Sequence, residues 1–292
     1  MLALPVNLIA IFLSTSVGSL LVLVVALLKV LLPVKAWQPL FSRMADRVMW
    51  GWATTNQKAF ELTNPGLRWE IDGGEGLNRN SWYLVICNHL SWADIVVLAS
   101  VLRNRAPMPK FFLKQELLYV PFLGVACWAL DMPFMKRYSR SYLLKNPEKR
   151  GEDLKTTRKS CEKFRHNPTT VVNYVEGTRF TSDKHLKTKS PYQHLLPPKS
   201  GGIAYTLDVM GEQFDQIVDV TIAYPDNTVT PFMDMLTGKM GRIVVSIRTL
   251  PVDEQVRGDY FNDKQYKRRF QLWLNDVWAA KDNLLASLLN RV

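Results

Sequence analysis

Cysteine is scarce in this chain: three thiols in 292 residues, Cys87, Cys127 and Cys161, at no paired spacing. That excludes a disulfide framework and a cysteine-based zinc site, and unpaired thiols suit a working face in a reducing cytosol. The patterns of several common catalysts are missing too. There is no G-x-S-x-G elbow, no G-x-x-x-x-G-K-[ST] loop and no H-E-x-x-H helix. The glycines of DGGEG (72–76) lack the third member of a dinucleotide fingerprint and read as a strand-end turn. With no activated serine or cysteine evident, a covalent enzyme intermediate is not favoured. Acidic residues are few, 26 Asp and Glu against 37 Lys and Arg, for a net charge of +11. The excess points to an acidic partner: nucleic acid, an anionic membrane or a phosphorylated small molecule. At 47% hydrophobic and 22% charged, the chain is too apolar for a disordered basic tail and too charged for a polytopic transporter.

Charge is also missing from one place. Residues 2–28 carry no charged side chain, and the first is Lys29. About 20 apolar residues cross a bilayer core as helix, so this stretch is long enough. A signal peptide would open on a basic region and end at a small-residue cleavage site. Here MLALPVNL has no basic residue, and the apolar run continues into LLKVLLPVKAW without an A-x-A site. A retained membrane anchor is the better reading. Ser14, Thr15, Ser16, Gly18 and Ser19 soften its middle, so a single span and a re-entrant hairpin are both open. Lys29, Lys35, Arg43 and Arg47 follow it, which places the rest of the chain in the cytoplasm. Trp37, Phe41, Met44, Ala45, Val48 and Trp52 then recur at helical spacing, with Arg43, Asp46 and Arg47 opposite. That helix reads equally as one facing a core and as one lying in the membrane interface. Residues 1–62 thus form an anchor with an interfacial helix, and residues 63–292 a folded domain.

In that domain short apolar runs alternate with helical segments. LRWEID (67–72), WYLVIC (82–87), KFFLK (110–114), MPFMK (132–136), TTVVNYV (169–175), IVDVTIAY (217–224) and RIVVSI (242–247) read as strands. Helices are expected over 92–102, 116–128, 152–165 and 201–209. The alternation predicts an α/β domain with a mostly parallel sheet flanked by helices. A final amphipathic helix carries Tyr266, Phe270, Trp273, Val277, Leu284, Leu285 and Leu288 on one stripe. The polar link 186–199, with three prolines, is expected to be a mobile loop over a site.

Four segments carry chemistry. In NHLSWAD, His89 stands just beyond an apolar strand and Asp94 five residues on, with Ser91 and Asp94 spaced as a capping box. A helix start keeps Asp94 ionised and can aim it at one nitrogen of His89, freeing the other to take a proton from a hydroxyl. Alone, this is also an ordinary strand end and helix cap. VEGTRF follows a strand, with Gly177 permitting close backbone approach and Arg179 offering a planar fork to a phosphate. KFFLKQELLYVPFLG sets Lys110 and Lys114 on one side of a strand, followed by a helix ending near Gly124. LPPKSGG opens a helix at Ser200 or Gly201 behind Lys199, a plausible anion site. Cys127, in GVACWAL, reads as packing.

Taken together and in this order, the four segments resemble the glycerolipid acyltransferase family of lysophosphatidic acid acyltransferases, nearest to a bacterial inner-membrane branch. NHLSWAD matches its His-x4-Asp motif, KQELLYVPFLG with MPFMKR its second block, VEGTR its third, and PPKSGG the lysine turn after it. The resemblance implies that His89 is the general base and Asp94 its orienting partner. It implies that Glu176, Gly177, Thr178 and Arg179, with Arg137, bind the glycerol phosphate, and that Lys114 and Lys199 contact phosphate or donor. The implied donor is acyl-CoA or acyl carrier protein, with no bound cofactor and no metal. The implied acceptor is 1-acylglycerol 3-phosphate, giving phosphatidic acid, in an inner-membrane enzyme facing the cytoplasm. Val175 and Phe180, where the family commonly has proline and serine, and VTIAYP in place of a Val-Pro core resemble the lysocardiolipin and lysophosphatidylglycerol branch. Another lysophospholipid acceptor is therefore the alternative. A non-enzymatic basic protein binding membrane or nucleic acid is the remote one, and no nucleic-acid module supports it. The charge is concentrated: residues 136–165 hold eleven Lys and Arg against four Asp and Glu, a net +7. Most of that run reads as a solvated helix face, and as a surface drawn to anionic headgroups.

Overall fold

A computed structural model describes residues 2–135, 155, 158–159, 161–162, 164 and 167–290. Arg137 and the helix expected over 152–165, with most of the basic run, fall outside these or are described only in part. Helix α1 (Ala3–Leu31) is continuous for 29 residues, so the serines and glycine at its centre do not turn it back. A short turn leads to α2 (Gln38–Thr63), started by Pro39 in its first turn, where a missing N–H costs nothing. The two helices pack against each other as a hairpin. Phe41, Ala45, Ala53 and Phe60 of α2 are buried, so its apolar stripe faces protein.

The domain is built on a six-stranded sheet: β1 (Arg68–Gly73), β2 (Tyr83–Cys87), β3 (Pro109–Phe111), β6 (Thr170–Tyr174), β7 (Gln216–Ala223) and β8 (Arg242–Pro251), in the order β1-β8-β7-β2-β6-β3. Strands β7, β2, β6 and β3 are mutually parallel, and β8 runs against β7 while pairing in parallel with β1. β2 is wholly buried because both its faces are covered. Leu84 and Ile86 pack towards α6 (Ser200–Met210) and the closing helix α8 (Lys264–Leu289), with Ile203, Phe270, Leu274 and Trp278. Tyr83, Val85 and Cys87 point the other way, onto α3 (Ala93–Leu102), α7 (Pro231–Thr237) and Phe60 of α2. Each fully buried large apolar side chain in these layers contributes roughly 1.5–3 kcal/mol. The expected α/β sandwich is the fold observed.

One segment departs from expectation. KFFLK is two strands rather than one: β3 and a separate β4 (Leu113–Lys114), which pairs with β5 (Phe134–Met135). Nor is 116–128 a single helix ending near Gly124. A 3-10 turn at Gln115–Tyr119 stops before Pro121, and α4 (Leu123–Ala129) starts afresh after Phe122 at φ +62°. Proline lacks the N–H a continuing helix needs and disfavours helical backbone before it.

Candidate active site

β2 and β6 are adjacent and parallel, with Cys87 opposite Tyr174, so the loops leaving their carboxyl ends run side by side. That is where open parallel sheets place ligands. The two loops are laced together: Val175 N donates to Cys87 O (3.3 Å) and Phe180 N to His89 O (2.7 Å). Asn88, fully buried, braces the same turn against β7, donating to Ile222 O and accepting from Ile222 N at 2.9 Å each.

Nδ1 of His89 lies 2.8 Å from Oδ2 of Asp94. The same oxygen accepts the backbone N–H groups of Leu90 (2.7 Å) and Ser91 (2.9 Å), which is half of the box that the Ser91–Asp94 spacing predicts. The other half is absent, since Ser91 Oγ accepts Ala93 N (3.3 Å) and Trp92 is the capping position. Asp94 Oδ1 accepts the Tyr224 hydroxyl at 2.7 Å. Burial, reinforced by Asp94, pushes Tyr224 well above the usual phenol range, so it stays a donor. Tyr174 stacks on the His89 ring, with centroids 4.1 Å apart and planes 19° apart. Asp94 thus fixes the imidazole through one nitrogen and Tyr174 fixes its plane. Nε2 remains for chemistry.

His89 opens onto a cavity of about 490 Å³, lined also by Trp92, Phe111, Asn173, Gly177, Thr178, Arg179 and Gly202. Arg179 lies over the Trp92 ring, 4.6 Å from its centroid, a cation–π contact that holds the guanidinium at the rim. Lys184 (on α5, Ser182–Thr188) donates to Thr178 Oγ1 (2.7 Å) and Arg179 O (2.9 Å), bracing that loop from outside. Gly177 has φ +68°, and a Cβ there would sit 3.3 Å from the Lys199 ammonium nitrogen. The positive φ is what favours glycine, since the flexible end of Lys199 could shift from a Cβ, and the contact shows that Lys199 hangs over the cavity loop. Glu176 does not face the cavity. It is buried, with Oε1 accepting His89 N and Oε2 accepting Leu196 N, both at 3.2 Å, and burial raises its carboxyl to about 8.

His89, Asp94, Gly177, Thr178, Arg179 and Lys199 therefore converge, with Glu176 beneath them. Lys114 is exposed on β4 and does not line the cavity, and Lys110 is buried against Asp46 and Leu130 O instead of sharing its side. The backbone amides nearest the imidazole are all occupied, those of His89, Leu90 and Ser91 as above and that of Gly177 by Tyr174 O, so none is free to hold an oxyanion. The link after α5 is no free lid. Asp282 of α8 holds the amides of Gln193 and His194, and Leu195 and Leu196 are buried. Among the described residues, no three His, Cys, Asp or Glu side chains gather as a metal site requires. Trp92, Tyr174, Tyr224, Asn173 and Lys184 are site residues that the motif spacing does not reveal.

Set beside known proteins, residues 68–225 match the acyltransferase family. The chain belongs to that family. It is 23% identical over 238 residues to a 2-acyl-1-lysophosphatidylinositol acyltransferase of Saccharomyces cerevisiae, covering 69% of this chain and 60% of that one. It is 25% identical over 211 residues to 1-acyl-sn-glycerol-3-phosphate acyltransferase delta of Bos taurus, covering 68% and 51%. The chain thus spans half to three fifths of these relatives. The crystal structure of the 1-acyl-sn-glycerophosphate acyltransferase PlsC from Thermotoga maritima shares the fold, with TM-score 0.55, 16% identity and coverage of 98% and 97%.

Proposed function

We propose that the protein transfers a fatty acyl group from a coenzyme A or acyl carrier protein thioester to the sn-2 hydroxyl of 1-acylglycerol 3-phosphate, giving phosphatidic acid. The observation that carries this is the pairing of two unlike spaces at Trp92. On one side is the polar cavity with His89, Thr178 and Arg179. On the other is an apolar groove of about 280 Å³ lined by Ile11, Trp52, Phe60, Ile95, Val96 and Phe232, running to the α1–α2 hairpin. A single-chain phospholipid has this division: the phosphate meets Arg179 and Lys199, the acyl chain lies towards the hairpin, and the free hydroxyl stands at His89. His89 Nε2 takes the hydroxyl proton as the oxygen attacks the thioester carbonyl carbon. The carbon–sulfur bond then breaks, and the proton passes to the departing thiolate. The first-turn amides of α6, unpaired within the helix and next to Gly202 at the cavity, are the available oxyanion donors. Glu176 acts from below by holding the His89 and Leu196 amides, and so shapes the loop without touching phosphate.

The placement of α1 supports a membrane-bound enzyme of one-sided type. Its flank is apolar and exposed, as at Leu8, Phe12, Leu20 and Leu27. Yet Asn7 donates to Leu236 O of α7 (2.9 Å) and Lys29 to Ala129 O at the end of α4 (2.7 Å). Those residues are about 33 Å apart along the helix, slightly more than a bilayer core. A helix pinned to one domain at both ends lies in a single leaflet, at the cytoplasmic face of a bacterial inner membrane. Lys29, ion-paired with Asp131, serves the fold more than the positive-inside bias.

Purified protein given acyl thioester and a panel of lysolipids should form phosphatidic acid fastest. His89→Ala should lower turnover about 10²- to 10⁴-fold, the range for a general base. Faster turnover of lysophosphatidylglycerol or lysophosphatidylinositol would replace the acceptor, and unchanged turnover in His89→Ala would remove the mechanism. Cysteines at Leu2 and Lys35 should both react with an impermeant thiol reagent from the cytoplasmic side only; reaction of Leu2→Cys from the opposite side would establish a span.

A further inference from the structure

The amino ends of β2, β3 and β6, the reverse of the edge bearing His89, carry a second cleft of about 600 Å³. Its walls are the approach to β2 (Arg79, Asn80), the approaches to β3 and β6, and one face of α2 (Arg43, Asp46, Arg47, Trp50). Three guanidiniums thus face one carboxylate, and that carboxylate is already paired with Lys110. Arg43 Nε donates only to Pro39 O (3.3 Å). Among the described residues Arg47 and Arg79 have no ion-pair or hydrogen-bond partner. Arg43 and Arg47 also stand four apart on one helix face, a like-charge spacing that weakens a helix. All three arginines are solvent-exposed, so the fold makes no use of their charge and leaves the cluster open to an anion.

Arg47 lines a second depression as well, about 650 Å³ between α1 and α2, with Leu13, Val17, Gly18, Leu21 and Gly51. Its surface is apolar, and Gly51 keeps it open: a Cβ there meets nothing within 4 Å. Glycine inside a helix costs roughly 0.5–1 kcal/mol against alanine, with no turn or close approach to require it here. A headgroup-sized basic cleft and an acyl-sized groove therefore share one arginine.

We infer that this is a binding site for an intact anionic glycerophospholipid, its phosphate on Arg43, Arg47 and Arg79 and an acyl chain between α1 and α2. It is separate from the His89 cavity and independent of which acceptor that cavity takes. Because the groove and the basic cleft share Arg47, the occupant is a lipid and not free phosphate. The site would seat the hairpin on anionic membrane.

The full chain in detergent is titrated with phosphatidylglycerol, phosphatidylcholine or inorganic phosphate and read by native mass spectrometry. One phosphatidylglycerol should bind per chain in the wild type and equally in His89→Ala and Arg179→Gln. The triple variant Arg43→Gln, Arg47→Gln, Arg79→Gln should weaken it roughly a hundredfold, from about one surface cation's worth per arginine. Gly51→Leu, which fills the groove and suits a helix, should weaken it about tenfold, the worth of one or two buried methylenes, with no loss of thermal stability. Unchanged binding in the triple variant, equal binding of phosphatidylcholine, or displacement by millimolar phosphate would each overturn the assignment. Loss of binding in Arg179→Gln would return the lipid to the catalytic cavity.

Discussion

Asp94 and Asp219 are both completely buried, and each sits against a nitrogen of a basic side chain. Their surroundings divide scaffold from site. Asp219, on β7, lies between two permanent cations, with Lys281 Nζ 2.5 Å from Oδ1 and Arg248 Nη2 2.6 Å from Oδ2. Lys281 also donates to Val220 O (2.6 Å) and Thr221 Oγ1 (3.1 Å), while its contact with Asp219 Oδ1 is an ion pair without hydrogen-bond geometry. Asp94 has no permanent cation. It collects two amides, one hydroxyl and one imidazole, and that imidazole keeps a second nitrogen towards a cavity. Burial and short contacts are common to the two. A working pair is distinguished by unspent valence at an opening.

The scaffold pair depends most on Lys281. Lys281→Met leaves a buried carboxylate with Arg248 alone and should cost about 3–5 kcal/mol of stability, as breaking buried pairs does. Thermal unfolding in detergent measures this, and Lys281→Met with Asp219→Asn should recover part of the loss. Folded protein of either variant should retain kcat/KM within a few-fold, since α8 touches no reacting atom. A hundredfold loss of kcat/KM at unchanged stability would make the scaffold pair part of the chemistry.

Tyr224→Phe tests the other member. It leaves Asp94 Oδ1 buried without its hydroxyl, and should cost about 1–3 kcal/mol. Here the loss should reach activity too, because an Asp94 freed on one side holds His89 less firmly. A stability loss with unaltered kcat would assign Tyr224 to packing alone.

How far these pairs are legible in the sequence follows from chain separation. His89 and Asp94 lie within one strand–turn–helix, so spacing and cap chemistry suffice to bring them together. The buried strands β2, β6, β7 and β8 are equally legible, because continuous apolar runs leave little else for them to be. Tyr224 reaches Asp94 across 130 residues, and Lys281 reaches Val220 across 61; no local pattern encodes either. Lys110 looks like a partner of Lys114 only if KFFLK is one strand. Its ion pair with Asp46, 64 residues away, decides otherwise. Glu176 is illegible for the same reason: its neighbours Gly177 and Arg179 line the cavity, while its own carboxylate is turned inward by Leu196 N, twenty residues on.

Glu176 is a third kind of buried acid, with neither the cations of Asp219 nor the four donors of Asp94. Burial raises it from an ordinary 4.5 to about 8, against the pull of its two amide donors. The folded chain then keeps a proton that the unfolded chain has already released between those values. Stability contributed by this group is complete below about pH 4.5, falls as pH rises, and levels off above 8. Between pH 6.5 and 7.5 the fall is at most about 1.4 kcal/mol. Glu176→Gln abolishes that slope while giving up one acceptor oxygen, so it should be less stable than wild type at pH 5 and draw level towards pH 8. Unfolding midpoints of both proteins across this range measure the gap. Curves that stay parallel would mean that Glu176 is ionised in the folded protein, and that its two amides, like the donors around Asp94, suffice to hold a buried charge without a cation.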